Sequence, residues 1–242
     1  MLSAKQDIID QLKKHILFLQ GLKPPHDHSI KIRLGPIDES FPAGNFPLAV
    51  IHEFITGGEE DLSATKGFIS HLLSELINRK GICIWINSKT IFPPALRSFG
   101  VDPDKVVFIN VKKEKEILWV MEEALKCEGL AGVVGELKEI NFTESRRLQL
   151  AVEKSRVTGF IIRDEPRSIG INACVSRWKI SPLASGSANN LPGIGFPRWN
   201  IELLKIRNGK PGVWQMEWSY GQLHRVPGLI TLVPQEQKRK AG

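Results

Sequence analysis

The chain has 242 residues, 42% of them hydrophobic and 24% charged, with a formal net charge of +7. That length buries one good core, and the composition excludes disordered, collagen-like and disulfide-scaffold classes. No run reaches membrane-spanning length, and residues 1–14 are too charged for a secretory signal, so a cytoplasmic protein with no membrane contact is expected. The basic balance suits a polyanionic partner, met directly or through another protein.

Cys83, Cys127 and Cys174 are odd in number, far apart and without C-x-x-C spacing. They read as buried structural thiols of a reducing compartment, not as a disulfide framework, zinc site or nucleophile. His15, His26, His28, His52, His71 and His224 show no metal-ligand spacing, and no metal is expected.

In chain order, residues 5–20 predict an amphipathic helix with Ile8, Ile9, Leu12, Ile16 and Leu19 on one stripe. Gly21 and Pro24-Pro25 end it, so residues 1–29 form a helix and linker that either pack on the domain or dock on another protein. Residues 48–55 predict a strand, 62–79 a helix, 81–87 a strand, 93–99 a short helix and 106–111 a strand. Residues 113–127 predict a helix with Ile117, Leu118, Met121 and Leu125 inward, followed by a strand over 130–135, a helix over 142–156 and a strand over 159–163. Near-continuous apolar strands between amphipathic helices imply a parallel sheet covered on both faces.

Beyond residue 170 the pattern changes. Residues 173–180 alternate as a strand, and residues 181–197, rich in Ser, Gly, Asn and Pro, predict a loop. Residues 198–206 and 213–218 predict a hairpin about Asn208-Gly209. The fold class expected is α/β: a mostly parallel sheet flanked by helices and extended by C-terminal antiparallel strands. The domain spans residues 30–227, and residues 228–242, with Lys238-Arg239-Lys240, read as a disordered basic tail; self-association of the chain is a further expectation.

Residues 57–67, Gly-Gly-Glu-Glu-Asp-Leu-Ser-Ala-Thr-Lys-Gly, stand between a strand and a helix, where a phosphate-binding loop belongs. Such a loop has the form G-x-x-x-x-G-K-[ST], with backbone N–H groups cradling phosphate, the Lys pairing its charge and the hydroxyl holding magnesium. Counted from Gly57 the required Gly-Lys-Ser/Thr falls on Leu62-Ser63-Ala64, and from Gly58 on Ser63-Ala64-Thr65. Neither register fits. Glu59, Glu60 and Asp61 satisfy the helix dipole and repel an anion. Gly57, Gly58, Ser63, Thr65 and Lys66 are therefore read as a vestigial phosphate loop with no cofactor, and Lys66 as a solvated residue of the first helical turns.

The order of elements resembles the RecA-type ATPase core, and four stretches narrow the resemblance to the ImuA family of RecA-like proteins. These are Ile37-Asp38-Glu39-Ser40-Phe41-Pro42-Ala43-Gly44, the helix Arg146-Arg147-Leu148-Gln149-Leu150-Ala151, the strand Gly159-Phe160-Ile161-Ile162-Arg163, and the hairpin from Pro197-Arg198-Trp199-Asn200 through Gly209-Lys210-Pro211-Gly212 to Glu217-Trp218. Set against that core, Lys89 stands near the place of the glutamate that activates water. Gly135 stands at the place of the metal-holding Asp, with Glu136 one position on and facing the other way. The resemblance implies a non-enzymatic accessory factor for error-prone translesion synthesis under the SOS response. Its implied partners are an ImuB-like Y-family polymerase homologue, a C-family polymerase and RecA. Two alternatives stay open: a divergent ATPase using Thr65 and Lys66, and a single-stranded-DNA binder.

For that last reading, Trp178, Trp199, Trp214 and Trp218 crowd the C-terminal strands, interleaved with Arg177, Lys179, Arg198, Lys205 and Arg207. Base stacking on a basic stripe is one interpretation, and core packing, for at least two of the tryptophans, is the other. Arg146 and Arg147 are read as contacts to phosphate or to a partner's carboxylates, or as a solvated helix face.

Overall fold

The computed structural model describes residues 32–87, 91–186 and 195–226. The helix expected over residues 5–20, Lys89, the centre of the loop expected over 181–197 and the basic tail lie outside them. Nine strands form one sheet: β1 (Ile51–Thr56), β2 (Cys83–Asn87), β3 (Val106–Asn110), β4 (Gly132–Leu137), β5 (Thr158–Asp164), β6 (Ser176–Gly186), β7 (Phe196–Ile206), β8 (Gly212–Ser219) and β9 (Gln222–Arg225). Their order is β3-β2-β4-β5-β1-β6-β7-β8-β9. Pairing is parallel from β3 through β6 and antiparallel from β6 to β9, the α/β arrangement expected and one consistent with a RecA-like core.

Helices cover both faces of the parallel part. α1 (Glu59–Lys80) lies on one face, where Phe68, Leu72 and Leu73 pack with Phe54, Trp85, Val134, Phe160 and Trp178. α2 (Glu114–Leu125) and α3 (Phe142–Ser155) lie on the other, where Met121, Leu125, Leu148 and Val152 pack with Ile51, Ile86, Val133 and Ile161. β1 and β4 are buried at every position because each is covered on both sides. An Asn141–Glu144 capping box starts α3, and Gly81, with φ of 99°, ends α1 by donating its N–H to the Ile77 carbonyl.

Gly67 stands in the middle of α1, where glycine costs about 1 kcal/mol relative to alanine. A Cβ there would approach Phe99 Cζ to 2.8 Å and Trp199 Cζ2 to 3.0 Å, so the glycine lets the helix press against two rings. It serves packing.

Two expectations about the C-terminal strands need correction. The loop expected over 181–197 is instead strand on both sides, since β6 continues to Gly186 and β7 begins at Phe196. Pro182 is tolerated because β6 pairs with β1 only as far as Lys179, which leaves it one free edge beyond. The unforeseen β9 follows a tight turn in which Tyr220 and Gly221 both have positive φ, 52° and 76°.

Two histidines are buried in the core. His52 is hydrogen-bonded to Ser176 Oγ (2.6 Å) and the Pro47 carbonyl (2.8 Å) and stacks on Phe46 and Phe160, and burial lowers its pKa to about 3. His71 packs on Trp218 with no hydrogen-bond partner for either nitrogen among the described residues, and burial lowers its pKa to about 4. Both folded values lie below the unfolded value near 6.5, so their stabilisation is complete above that pH and is lost as pH falls toward the folded values. Each group steepens the loss by up to ~1.4 kcal/mol per pH unit. Urea midpoints should therefore drop between about pH 6.5 and about pH 4.5, and His71→Leu should flatten that drop. A pH-indifferent midpoint would contradict the assignment.

Candidate functional site

β1 ends at Thr56, Gly57-Gly58 make the turn, and α1 begins at Glu59. Gly58 has φ of 154°, a conformation L side chains rarely adopt. Gly57 N–H donates to Asp61 Oδ2 at 3.1 Å, and Leu62 N–H donates to the Gly58 carbonyl at 2.9 Å. A loop amide that would face a phosphate is thus held by the chain's own carboxylate, at the positive end of the helix dipole. Ser63 is exposed on the outer side of α1. Thr65 is fully buried, and its Oγ1 has no hydrogen-bond partner among the described residues. Neither hydroxyl lies in the glycine turn.

Lys66 corrects the sequence reading. It is not solvated: its side chain is only 21% exposed, and Nζ lies 3.1 Å from Glu136 Oε1. Trp85 Nε1 donates to the same oxygen at 2.7 Å. Lys66 shares the inward stripe of Leu62 and Ile69, so its stem follows the core and its head reaches the end of β4. Glu136 completes the correction. Val134 and Glu136 face α1, whereas Val133 and Gly135 face α2, and a Cβ on Gly135 would come within 2.6 Å of Met121 Sδ. The acidic side chain of β4 that looks toward the glycine turn is Glu136, and its charge is already paired.

A second ionic cluster, which the sequence reading did not single out, lies on the opposite face. Glu53 on β1 is fully buried between two arginines, accepting from Arg163 Nη1 at 3.0 Å and from Arg177 Nε at 2.5 Å. Arg163 also donates through Nη2 to Glu139 Oε2 (2.6 Å) and the Ser168 carbonyl (2.9 Å), and through Nε to the Lys138 carbonyl (3.1 Å). Arg177 Nη2 donates to the Gly170 carbonyl at 2.7 Å. The signal was available: Glu53 interrupts the apolar run 50–55, and Arg163 ends the apolar run 160–162.

No family model matches the chain. Two curated relatives do, each called Protein ImuA, from Caulobacter vibrioides strain NA1000 / CB15N and from strain ATCC 19089 / CIP 103742 / CB 15. Each is 34% identical over 194 residues, spanning 75% of this chain and 80% of the relative. The chain belongs to the ImuA family.

In this ImuA-family chain the arginines and lysines expected to form a contact surface are brought together only in part: Lys205 stands opposite Arg177 in the β6–β7 register, and burial, with Arg177 and Arg207 close by, lowers its pKa, whereas the others are scattered. Arg146 Nη1 lies 3.4 Å from Glu153, and Arg147 pairs with Glu122, both on the outer surface of the α2–α3 layer. Arg177 braces Glu53, Lys179 stands opposite Glu202 in the β6–β7 register, and Arg198 Nε pairs with Glu217 Oε2 at 2.7 Å across β7–β8. Arg207 lies just beyond the end of β7, half-buried, with its N–H on the Val175 carbonyl. Trp199 is a correction: it is 3% exposed and packs against Phe68 and Phe99 at ring distances of 6.2 and 5.8 Å. Trp178 and Trp218 are buried as well, and Trp214 is half-buried against the same core, so three of the four tryptophans are core residues and not open to base stacking. Among the described residues no group of His, Cys, Asp and Glu is placed to hold a metal ion, and no helix is long and apolar enough to cross a membrane.

The Lys66–Glu136 pair can be tested by stability. Lys66→Ala should cost about 2–4 kcal/mol in urea unfolding, because it strands a buried carboxylate. Lys66→Met combined with Glu136→Gln should recover most of that loss, since the glutamine carbonyl still accepts from Trp85. An unchanged midpoint for Lys66→Ala would show the pair to be incidental.

Proposed function

We propose that this ImuA-family chain is a non-catalytic accessory protein of error-prone translesion DNA synthesis in the SOS response, built on a RecA-like fold and acting in the cytoplasm through protein contacts. The relationship to ImuA supports a role in the error-prone repair and mutagenesis system. What supports the non-catalytic reading is that groups a triphosphate would need are already engaged within the chain. Asp61 holds the Gly57 amide, and Glu136 holds the Lys66 ammonium. A triphosphate would have to displace both carboxylates and approach Glu59 and Glu60, both exposed at the same helix end. The partners in this reading are an ImuB-like polymerase subunit, a C-family polymerase and RecA, with DNA reached through them or directly.

A divergent nucleotide binder is the second reading, and one observation favours it. Lys66 and Glu136, a cation and an acid, both face the glycine-turn side of the sheet. Calorimetric titration of the full chain with magnesium-ATP separates the two. The accessory reading expects no heat of binding, and micromolar binding abolished by Lys66→Ala would replace it with the nucleotide reading. Co-purification with the cognate ImuB-like protein is the direct test of function. A stable complex is expected, and a folded full-length chain that captures no polymerase subunit would refute the accessory role.

A further inference from the structure

We propose that Arg177, Lys205 and Arg207 form a binding site for a phosphate group, presented along a nucleic-acid strand or met as a free anion. The inference goes beyond the accessory reading, which stands on protein contacts alone.

In the β6–β7 register Arg177 stands opposite Lys205, and Leu204 is an extra residue bulged out between Leu203 and Lys205. Trp178, Leu203 and Ile206 belong to the core under α1, so Arg177, Lys205 and Arg207 share the other face of the sheet. α2 and α3 pack on β1, β2 and β4, and at this end of β7 Lys205 and Arg207 are left half-buried. The crossover segment 165–175, which joins β5 to β6, borders the cluster. Lys205 Nζ donates to its Asn172 and Cys174 carbonyls, both at 3.3 Å, and Arg177 Nη2 to its Gly170 carbonyl at 2.7 Å. These peptide groups orient the cations without neutralising them.

Positive charge is in excess here. The carboxylate that acts on Lys205 is Glu53, which Arg163 and Arg177 already share, and Arg163 has Glu139 as its second partner. Arg163, Arg177, Lys205 and Arg207 thus face only Glu53 and Glu139, four cations to two carboxylates. The surrounding charges balance one another. Lys179 stands opposite Glu202, Arg198 pairs with Glu217, Arg167 follows Glu165, and beyond the hairpin Lys210 and Arg33 accompany Glu39 and Asp38. Burial lowers the Lys205 pKa, and Arg177 and Arg207 lower it further. Donors are in excess as well. Both Glu53 oxygens are engaged, whereas Arg177 Nη1, the Arg207 guanidinium and the buried Asn172 Nδ2 have no acceptor among the described residues. Spare donors and spare positive charge at one place suit an oxyanion. A phosphate offers acceptors in several directions, as donors on two strands require, where a carboxylate offers its two oxygens in one plane. Since Trp178, Trp199 and Trp218 are buried, contact with a strand is made to its backbone and is independent of base sequence.

The test uses the full chain with Arg207→Ala and Lys205→Gln, and with Lys115→Ala, an exposed position on α2, as a control of equal charge change. Each variant is first required to melt as the parent does. Arg207, whose side chain has no partner among the described residues, keeps the test decisive if Lys205→Gln unfolds. Two probes are used: labelled oligo-dT, read by fluorescence anisotropy at low ionic strength, and inorganic phosphate, read as a rise in melting temperature over chloride at the same ionic strength. If a strand supplies the phosphate, the parent binds oligo-dT, Arg207→Ala weakens it about tenfold, and Lys115→Ala changes it less than twofold. Arg207→Ala then also lowers the slope of log affinity against log salt by about 0.7, the loss of one single-strand phosphate contact. If the free anion is the ligand, inorganic phosphate raises the melting temperature of the parent and of Lys115→Ala but not of Arg207→Ala, and oligo-dT does not bind. A parent that responds to neither probe, or responses that survive in Arg207→Ala or fall equally in Lys115→Ala, would overturn the proposal. Capture of the polymerase subunit by Arg207→Ala is expected in every case, so the phosphate site and the accessory role fail separately.

Discussion

A charged side chain on a strand covered on both faces has no water to solvate it, and the arrangement of this molecule follows from that constraint. The isolated burial of an ion costs several kcal/mol even after relaxation, so such a group persists only where fixed partners surround it. Glu53 meets the condition with two arginines, and Arg163 in turn with two carboxylates and two carbonyls. Glu136 meets it with Lys66 and the Trp85 indole. Replacing such clusters by apolar side chains would often be neutral for stability, whereas removing one partner is not. Their energetic role is therefore to make each member indispensable to the others, and their geometric role is to fix the backbone that they touch.

That geometric role differs on the two faces. On the α1 face the pair ties the helix to the end of β4, across the opening where a phosphate loop would receive its ligand. On the α2–α3 face the arginines reach out of the core to backbone carbonyls of the crossover segment and hold it without a helix of its own. The antiparallel extension is stabilised differently. Trp178, Trp199 and Trp218 fill the space between the sheet and α1, and the glycine at position 67 is the accommodation that α1 makes for Trp199 and Phe99. Aromatic volume takes there the place that ionic cross-linking takes in the parallel half.

The alternation of apolar runs with helical periodicity made the parallel sheet, its three helices and the Asn-Gly hairpin legible, because those signals are local. The inward stripe of α1 was legible for the same reason. What escaped was long-range. Lys66 read as solvated because its partner lies far along the chain, and only the sheet order brings β4 beneath α1. Glu136 was set aside by counting along a strand without knowing which face looks toward the glycine turn. β6 was cut short because Ser181-Pro182 has the composition of a loop, while its pairing with β7 is decided by an open edge that no local pattern announces. The arginines of the candidate surface were drawn together by proximity in sequence, and the fold separates most of them onto the helical layer, the sheet centre and the hairpin.

The two ionic clusters sit nearly level along the sheet, since Glu136 is paired in register with Ile162 and Leu137 with Arg163, yet they point to opposite faces. They share no residue, so changes in one should act almost additively with changes in the other. The consequence is a division of labour within one fold. The face that carries the glycine turn is closed by internal carboxylates, and the face that carries the crossover segment gathers cations beside a braced backbone. The chain keeps its rigidity on the first of these faces, where Lys66 and Glu136 tie α1 to β4. The opposite face is then free to vary toward a ligand without the sheet between them losing its order.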